Sequence, residues 1–563
     1  MVSRAPLVLA AALASVSFIP HAALAAPDTL AADVEALLDK SYAEDGPGAA
    51  VVVTENGEVI YSGGQGVANL ETGAQVTPDT VFRFASITKQ FAAAVILQLA
   101  DEGELSLDDP LSKFLPDYPG AGKEVTVRHL LNHTSGIQSY TGIPGWMGEV
   151  NTQKAFTTAE LIAEFSDQPM EFQPGSNFNY NNSGYVLIGA IIEAVTGKTW
   201  DQAIVDRISA PLGLTTIASF EDEASVPNMA IGYSVRGEDG AFRLSQKVHA
   251  QVPHAAGALR GNVLDMASWA NALHSGKVLS QTSYTAMNSP TVLPDGTDID
   301  YGYGMGQSDV RGAKAFGHSG GVFGFSTDSV YLPEHDVFVA VFANSDAPQT
   351  SPGMVMNRIA AMAIENPYPE FSQVEVDMAA VEPLLGVYQI NGEDTRQFFA
   401  RDGKFYTLRS GGSESEVFPA GGNRFFYGPN SLTWMQIEAE EGGQLVMQMH
   451  QNGAEKAELA KYVGPMPEIA DITVSETVLA RYVGTYESPA VGKLVIAPRE
   501  GGGITGKLGG QPALVLRPES ETEFNVQGVS AKIVFTVDND IVTKLTIEQG
   551  GQSIDLTPMT ETD

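Results

Sequence analysis

The chain has 563 residues, 43% of them hydrophobic and 18% charged, with 58 glycines, which is the composition of a turn-rich globular protein too long for a single core. Its 68 acidic and 32 basic residues give a net charge of −36 without a basic cluster, so nucleic acid and anionic membrane surfaces are poor partners. With no cysteine, disulfides and thiol catalysis are excluded.

Residues 1–25 read as an export signal: Arg4, an apolar run from Pro6 to Phe18, and Ala23-Leu24-Ala25 as the cleavage site. Cleavage near Ala25 predicts a periplasmic or secreted protein, and no later apolar run reaches the roughly 18 residues of a membrane span. Ala50–Val53 and Glu58–Tyr61 flank Asn56-Gly57, a hairpin signature, and Gly63–Ala68 is a candidate further strand. Next comes Val81-Phe82-Arg83-Phe84-Ala85-Ser86-Ile87-Thr88-Lys89, with an apolar helical run from Phe91 to Ala100. In a helix that begins near Ser86, a residue three positions on projects from the same face, so the Lys89 amine stands beside the Ser86 hydroxyl. A lysine held among apolar side chains loses proton affinity and can take a serine's proton. Ser-x-x-Lys is a short pattern that arises by chance, yet Ser86 is the only serine here with a lysine three residues on.

His129 and His133 are four apart but lack an intervening glutamate or a third ligand, which favours a helix end over a metal site. Tyr180 and Asn182, before a helical run from Tyr185 to Val195 that Gly197 closes, should project to one side. A phenol can relay protons, and a carboxamide can hold a lysine or a substrate amide. In Phe316–Thr327, His318 should lie on a strand beside a hairpin formed by Val330–Leu332 and Val337–Phe342. Gly320 and Gly321 allow a substrate close to the backbone, where an amide N–H can face an oxyanion. His318 is expected to titrate near neutrality and to shape the pH profile. Gly317-x-Ser319-x-Gly321 also fits a nucleophile elbow, but the residues downstream of it are strand-like rather than helical. His274-Ser275-Gly276 is more simply a helix end.

In this order, Ser86-x-x-Lys89, Tyr180-x-Asn182 and His318-x-Gly320 resemble the penicillin-recognising serine hydrolases, on the class C β-lactamase and D-alanyl-D-alanine carboxypeptidase side. Asn132–Gly136 and Tyr301–Gly304 look like further landmarks, and the resemblance spans about residues 30 to 365. It implies an α/β catalytic domain, an antiparallel sheet flanked by helices plus an all-helical subdomain. It also implies a Ser86 acyl-enzyme in which Lys89 and Tyr180 share the base and acid roles. Asn182 would orient Lys89 and the substrate, and His318 would bind substrate or assist proton transfer. The N–H groups of Ser86 and Gly321 would form the oxyanion hole, and no cofactor or metal is required. Two departures stand out: Leu259-Arg260-Gly261-Asn262 where relatives usually carry small hydroxyl residues, and histidine for the lysine of Lys-Thr-Gly. The second is typical of the esterase and aminopeptidase branch.

Beyond Asn366-Pro367-Tyr368-Pro369 the sequence repeats: Gly386-Val387-Tyr388 matches Gly484-Thr485-Tyr486, Pro419 matches Pro518, Phe425 matches Phe524, and Met447 matches Leu545. Two copies offset by about 100 residues read as two small antiparallel β-barrel domains. The expected layout is a signal peptide over 1–25, a catalytic domain over 26–366, and lipocalin-like β domains over 374–466 and 473–563. Such pairs resemble those of bacterial D-aminopeptidases, which implies that at least one lies across the Ser86 cleft. The expected function is a secreted serine hydrolase, a peptidase or amidase on D-amino-acid-containing peptides or amides. A carboxylesterase or weak β-lactamase is the alternative within the family, and a non-catalytic penicillin- or peptidoglycan-binding protein the alternative outside it. The substrate would be a small molecule or short peptide, and the sequence leaves the oligomeric state open.

Overall fold

A computed structural model describes residues 27–235, 240–466, 472–488, 490–499, 502–549 and 552–559; the expected export signal over 1–25 and its expected cleavage at Ala25 lie outside the described residues. Strands β1 (Ala49–Glu55) and β2 (Glu58–Gln65) turn at Asn56 and Gly57, whose φ values of 52° and 76° make the left-handed pair that a two-residue hairpin needs. Gly63–Ala68 does not form one strand, because Gly66 at φ 81° ends β2 and starts the short strand Val67–Asn69. Four later strands, β3 (Gly306–Val310), β4 (Ala313–Val322), β5 (Phe325–Leu332) and β6 (Val337–Ala343), complete an antiparallel sheet of order β3-β4-β5-β6-β1-β2.

Alternation along β1 and β6 divides the core. Ala49, Val51, Val53, Val339 and Val341 pack with one set of residues, whereas Ala50, Val52, Phe338, Ala340 and Phe342 pack with another. The longer helices are α1 (Pro27–Ser41), α2 (Thr88–Asp101), α3 (Asn182–Thr196), α4 (Val263–His274) and α5 (Pro352–Ala363). Helices α1 and α5 cover the first face; α2, α3, α4 and several short helices build the helical subdomain on the second. Helix α2 is its axis, buried from Thr88 to Leu97. Phe91 stacks on Trp269 of α4 with ring centroids 4.3 Å apart. Each fully buried Leu, Ile or Phe of this kind contributes about 1.5–3 kcal/mol.

Helix α3 starts at Asn182, three residues earlier than its apolar pattern predicts, because the Asn181 side chain accepts from the Gly184 N–H and caps it. It ends at Gly197 with φ 69°. The tail forms two closed barrels of eight antiparallel strands each, from Gly386–Asn391 to Glu458–Gly464 and from Gly484–Ser488 to Gln552–Pro558. Repeat partners occupy equivalent places. The hydroxyls of Tyr388 and Tyr486 donate to the carbonyls of Leu384 and Tyr482, four residues back in each case. Phe425 and Phe524 are buried in their respective cores, as are Met447 and Leu545.

The parts are joined by polar contacts. Arg311 donates to the Gly453 carbonyl at 2.9 Å, and Asn366 to Glu455 at 2.6 Å, fastening the turn before the last strand of the first barrel onto the catalytic unit. The barrels meet where Ser530 N–H donates to Gly412 O and Glu414 N–H to Gly528 O, both at 2.8 Å.

Candidate active site

Ser86 lies in a single 3₁₀ turn, Ala85–Ile87, that leads into α2. Ala85 before it holds φ 49°, a left-handed conformation that an L side chain adopts only under constraint. Strand β4 supplies that constraint. A Cβ on Gly320 would come within 2.3 Å of the Phe84 carbonyl oxygen and 2.4 Å of Thr327 Oγ1, so only glycine lets the strand press against the Ser86 turn. Thr327 Oγ1 then donates to the Phe84 carbonyl at 2.9 Å. Gly321 faces open space instead.

Lys89 is fully buried, and its Nζ reaches the Ala256 carbonyl at 2.8 Å, Asn182 Oδ1 at 2.9 Å and Ser86 Oγ at 3.2 Å. Burial pushes its pKa well below the ordinary value of 10.5. A neutral amine has two protons and one lone pair. The carbonyl and the carboxamide oxygen can only accept, so both protons go to them and the lone pair is left to the Ser86 hydroxyl. Asn182 is itself fixed, its Nδ2 donating to Thr141 Oγ1 at 3.1 Å.

Tyr180 closes the other side. The residue is 36% exposed, while its hydroxyl faces Ser86 and desolvation raises the phenol pKa. The Lys89 amine sits 4.8 Å above its ring. His133, buried at φ 60°, accepts the Asn181 N–H on Nδ1 and packs its ring 4.3 Å from that of Tyr180. His129 instead caps the helix Val127–Leu131 against Thr126, so the two imidazoles serve separate backbone amides.

His318 corrects an expectation. Its Nδ1 faces the Ser319 carbonyl at 2.5 Å, an atom that can only accept, so Nδ1 carries the proton and Nε2 accepts from the Tyr301 hydroxyl at 2.9 Å. Burial, followed by the neighbouring Lys89, pushes its pKa to about 3, and it is neutral throughout the working range rather than titrating near pH 7. Ser319 stands within β4 with another strand after it, which removes the nucleophile-elbow geometry.

Two spaces lie at the site, and Ser86 lines the first of them. One is a pocket of about 270 Å³ beside Ser86, Asn182 and Gly321, walled by Tyr140, Met147, Val252 and Phe323. The other is a crevice of about 700 Å³ that starts at Tyr180, Tyr301 and His318 and is rimmed by Gln451 and Asn452 of the first barrel. Sequence reasoning missed the Ala256 carbonyl, Thr141 and most of the pocket wall. It marked Tyr301 only as a landmark, although an aromatic hydroxyl beside a strand histidine was there to be asked about. Arg260 of the unusual Leu259–Asn262 stretch is turned to the Thr216 carbonyl at 2.7 Å, and the stretch is not part of the pocket wall.

A family model described as Beta-lactamase matches residues 30–361. The chain belongs to the beta-lactamase family. This beta-lactamase-family chain is 26% identical to Penicillin-binding protein 4* of Bacillus subtilis (strain 168) over 69% of its own length and 89% of the relative's. It is also 26% identical to a D-aminopeptidase of Gluconobacter oxydans (strain 621H), covering 77% of each chain. A D-amino acid amidase from Ochrobactrum anthropi SV3, solved in complex with L-phenylalanine amide, superposes with a TM-score of 0.53 at 26% identity, over 60% of this chain and 99% of that one. The beta-lactamase-family fold therefore carries a serine hydrolase here, with two further β-barrels behind it. Among the described residues, no helix is long and apolar enough to cross a membrane.

Proposed function

We propose that the protein is an exported amidase or peptidase that acts through a Ser86 acyl-enzyme on substrates with a D-aminoacyl group. The observation that carries this reading is the buried Lys89 amine, with both protons committed to Asn182 and Ala256 and its lone pair turned to Ser86. Ser86 Oγ attacks the acyl carbon as its proton passes to Lys89 Nζ. The oxyanion is met by the backbone N–H groups of Ser86 and Gly321, a contribution worth about 3–4 kcal/mol per donor where one has been removed in comparable enzymes. The leaving nitrogen takes a proton through Tyr180 as the C–N bond breaks, and water enters by the reverse path to release the acid. His318, neutral and bonded to Tyr301, holds the substrate without carrying charge.

The apolar walls of the smaller pocket, Tyr140, Met147, Val252 and Phe323, support an apolar acyl side chain. The amidase and D-aminopeptidase relatives support the D-configured amide over the lactam. A fluorophosphonate probe should label Ser86, and D-phenylalaninamide should be turned over well above L-phenylalaninamide and a chromogenic cephalosporin. Labelling elsewhere, or a preference for the cephalosporin, would overturn the reading. Export is tested by sequencing the mature N-terminus, expected at Ala26.

A further inference from the structure

Tyr180 faces Ser86 from residues 177–181, a segment that is neither helix nor strand, and it is partly open to solvent. Neither a regular ladder of backbone bonds nor full burial fixes such a side chain. The hold comes from Asn132–Gly136, a buried stretch just beyond the helix Val127–Leu131 that the catalytic steps leave without a task. The Gly136 and Thr134 carbonyls accept the N–H groups of Glu171 and Gly175, both at 2.7 Å, and the His133 carbonyl accepts that of Asn179 at 3.0 Å. Glycine is needed at 136, where φ is 72° and a Cβ would come within 2.1 Å of the Phe172 carbonyl oxygen. His133 adds its ring, whose Nδ1 accepts the Asn181 N–H at 3.1 Å. The residues on both sides of Tyr180 are therefore tied to His133, one through its carbonyl and the other through its imidazole.

The same imidazole is the nearest of the rings around Tyr180, at 4.3 Å between centroids against 6.0 Å for His318 and 6.1 Å for Tyr301. With Nδ1 accepting, the ring proton sits on Nε2, and that buried N–H has no hydrogen-bond partner among the described residues. A buried donor left unpaired opposes folding, so stability alone does not account for an imidazole here. Burial, followed by Lys89 and His318, holds the His133 pKa well below 6.5, and at neutral pH Nδ1 remains free to accept. Asn182, by contrast, is held without His133. Its N–H donates to Ser139 Oγ at 3.3 Å and its Nδ2 to Thr141 Oγ1 at 3.1 Å, so losing the His133 ring falls on Tyr180 rather than on the partner of Lys89.

We infer that His133 is a positioning residue for Tyr180, holding the phenol hydroxyl where it can pass a proton to the departing nitrogen and affecting the rate only through that phenol. The inference rests on the Ser86 acyl-transfer reading and deepens it. In that reading the Ser86 proton reaches the nitrogen by way of Lys89 and Tyr180 as the acyl C–N bond breaks. An amide nitrogen needs that proton to leave, whereas p-nitrophenolate does not. Misplacing Tyr180 therefore harms amide cleavage more than cleavage of an activated ester with the same acyl group.

The test uses the full chain and two substrates that differ only in the leaving group, D-phenylalaninamide and D-phenylalanine p-nitrophenyl ester, compared by kcat/KM so that only steps up to acylation count. Tyr180→Phe sets the signature, a fall on the amide at least tenfold greater than on the ester. His133→Gly suits the φ of 60° at this position and removes the ring. It should show the same signature, and the double variant should lie within threefold of the worse single variant on the amide. His133→Asn also suits that φ, and its Oδ1 can accept in place of Nδ1. It should recover at least fivefold of what His133→Gly loses on the amide. An equal fall on both substrates, effects that multiply in the double variant, or no recovery by asparagine overturns the inference. If circular dichroism shows that His133→Gly does not fold, His133→Asn decides alone: an amide-to-ester ratio within threefold of the unaltered protein supports the hold, and a lower one overturns it. If Ser86 takes no fluorophosphonate label, the proposed function fails separately. The fluorine resonance of 3-fluorotyrosine placed at position 180 then decides the hold, since a broader line in His133→Gly than in His133→Asn supports it and equally narrow lines overturn it.

Discussion

At the scale of single residues, the site turns on the protonation of two buried bases. In the proposed mechanism acylation needs neutral Lys89, whose pKa lies well below 10.5, so the active fraction is expected to fall as pH drops through that depressed value and to be flat above it. Between the depressed value and 10.5 the unfolded chain binds one more proton at this site than the folded one, so this residue's contribution to stability rises with pH across that window. His318, held at about 3, takes no part in the acid limb of activity, while by the same linkage its own contribution to stability rises with pH between about 3 and 6.5. His318→Gln is therefore expected to lower kcat/KM while leaving the midpoint of the acid limb in place; a displacement of half a pH unit or more would return His318 to the proton chemistry. Ser86→Ala and Lys89→Ala should each cost about as much activity as the double variant, because the pair acts as a unit, on the order of 10⁴-fold or more in kcat. Steady-state rates on D-phenylalaninamide, with circular dichroism to show that each variant folds, check this.

At the scale of elements, the contact between β4 and the nucleophile turn decides geometry. Gly320→Ala would drive a methyl into the Phe84 carbonyl and Thr327 Oγ1 and is expected to cost about 1–3 kcal/mol of stability together with most of the activity. Gly321→Ala meets nothing within 4 Å and should fold with an unchanged melting temperature, so any loss of activity there is read as crowding at the pocket mouth. Equal destabilisation by the two substitutions would show that the strand does not brace the turn as described. The same elements show what a sequence can disclose. Ser86-x-x-Lys89 and Tyr180-x-Asn182 were legible because the groups that must meet lie within one turn of helix or one short extended segment, and local geometry aims them. The hairpin at Asn56-Gly57 and the barrel repeat were legible for similar reasons, the first from turn chemistry and the second from periodicity. The Ala256 carbonyl has no side-chain signature, and Tyr140, Met147, Val252 and Phe323 converge only after distant segments pack. The neutrality of His318 was misjudged from its reference pKa, because desolvation and the Tyr301 contact belong to the tertiary structure.

At the scale of the whole molecule, the barrels are unequal in their relation to the cleft. Gln451, Asn452 and Ala454 of the first barrel line the crevice, and among the described residues none of the second barrel does. Deleting residues 473–563 should therefore leave the ratio of amide to small-ester hydrolysis within about twofold. Arg311→Ala, which releases the carbonyl of Gly453, should shift that ratio toward bulkier leaving groups by loosening the rim. Expectation from the repeat alone would have put the weight on either copy, and a specificity change on removing only the distal barrel would restore that view.

The fastening at Arg311 also has a mechanical side. The turn it grips begins where one strand of the first barrel ends at His450 and leads into the last strand, Glu458–Gly464, which closes that barrel against its first. A pull or twist applied to the distal barrel must travel through the first barrel's hydrogen-bonded wall before it reaches the catalytic unit, and this turn is one of the places where it arrives. The wall acts as a stiff lever with one of its fulcrums at the crevice rim, so tethering the protein by its far end is a way to bear on the mouth of the active site without touching a single catalytic atom.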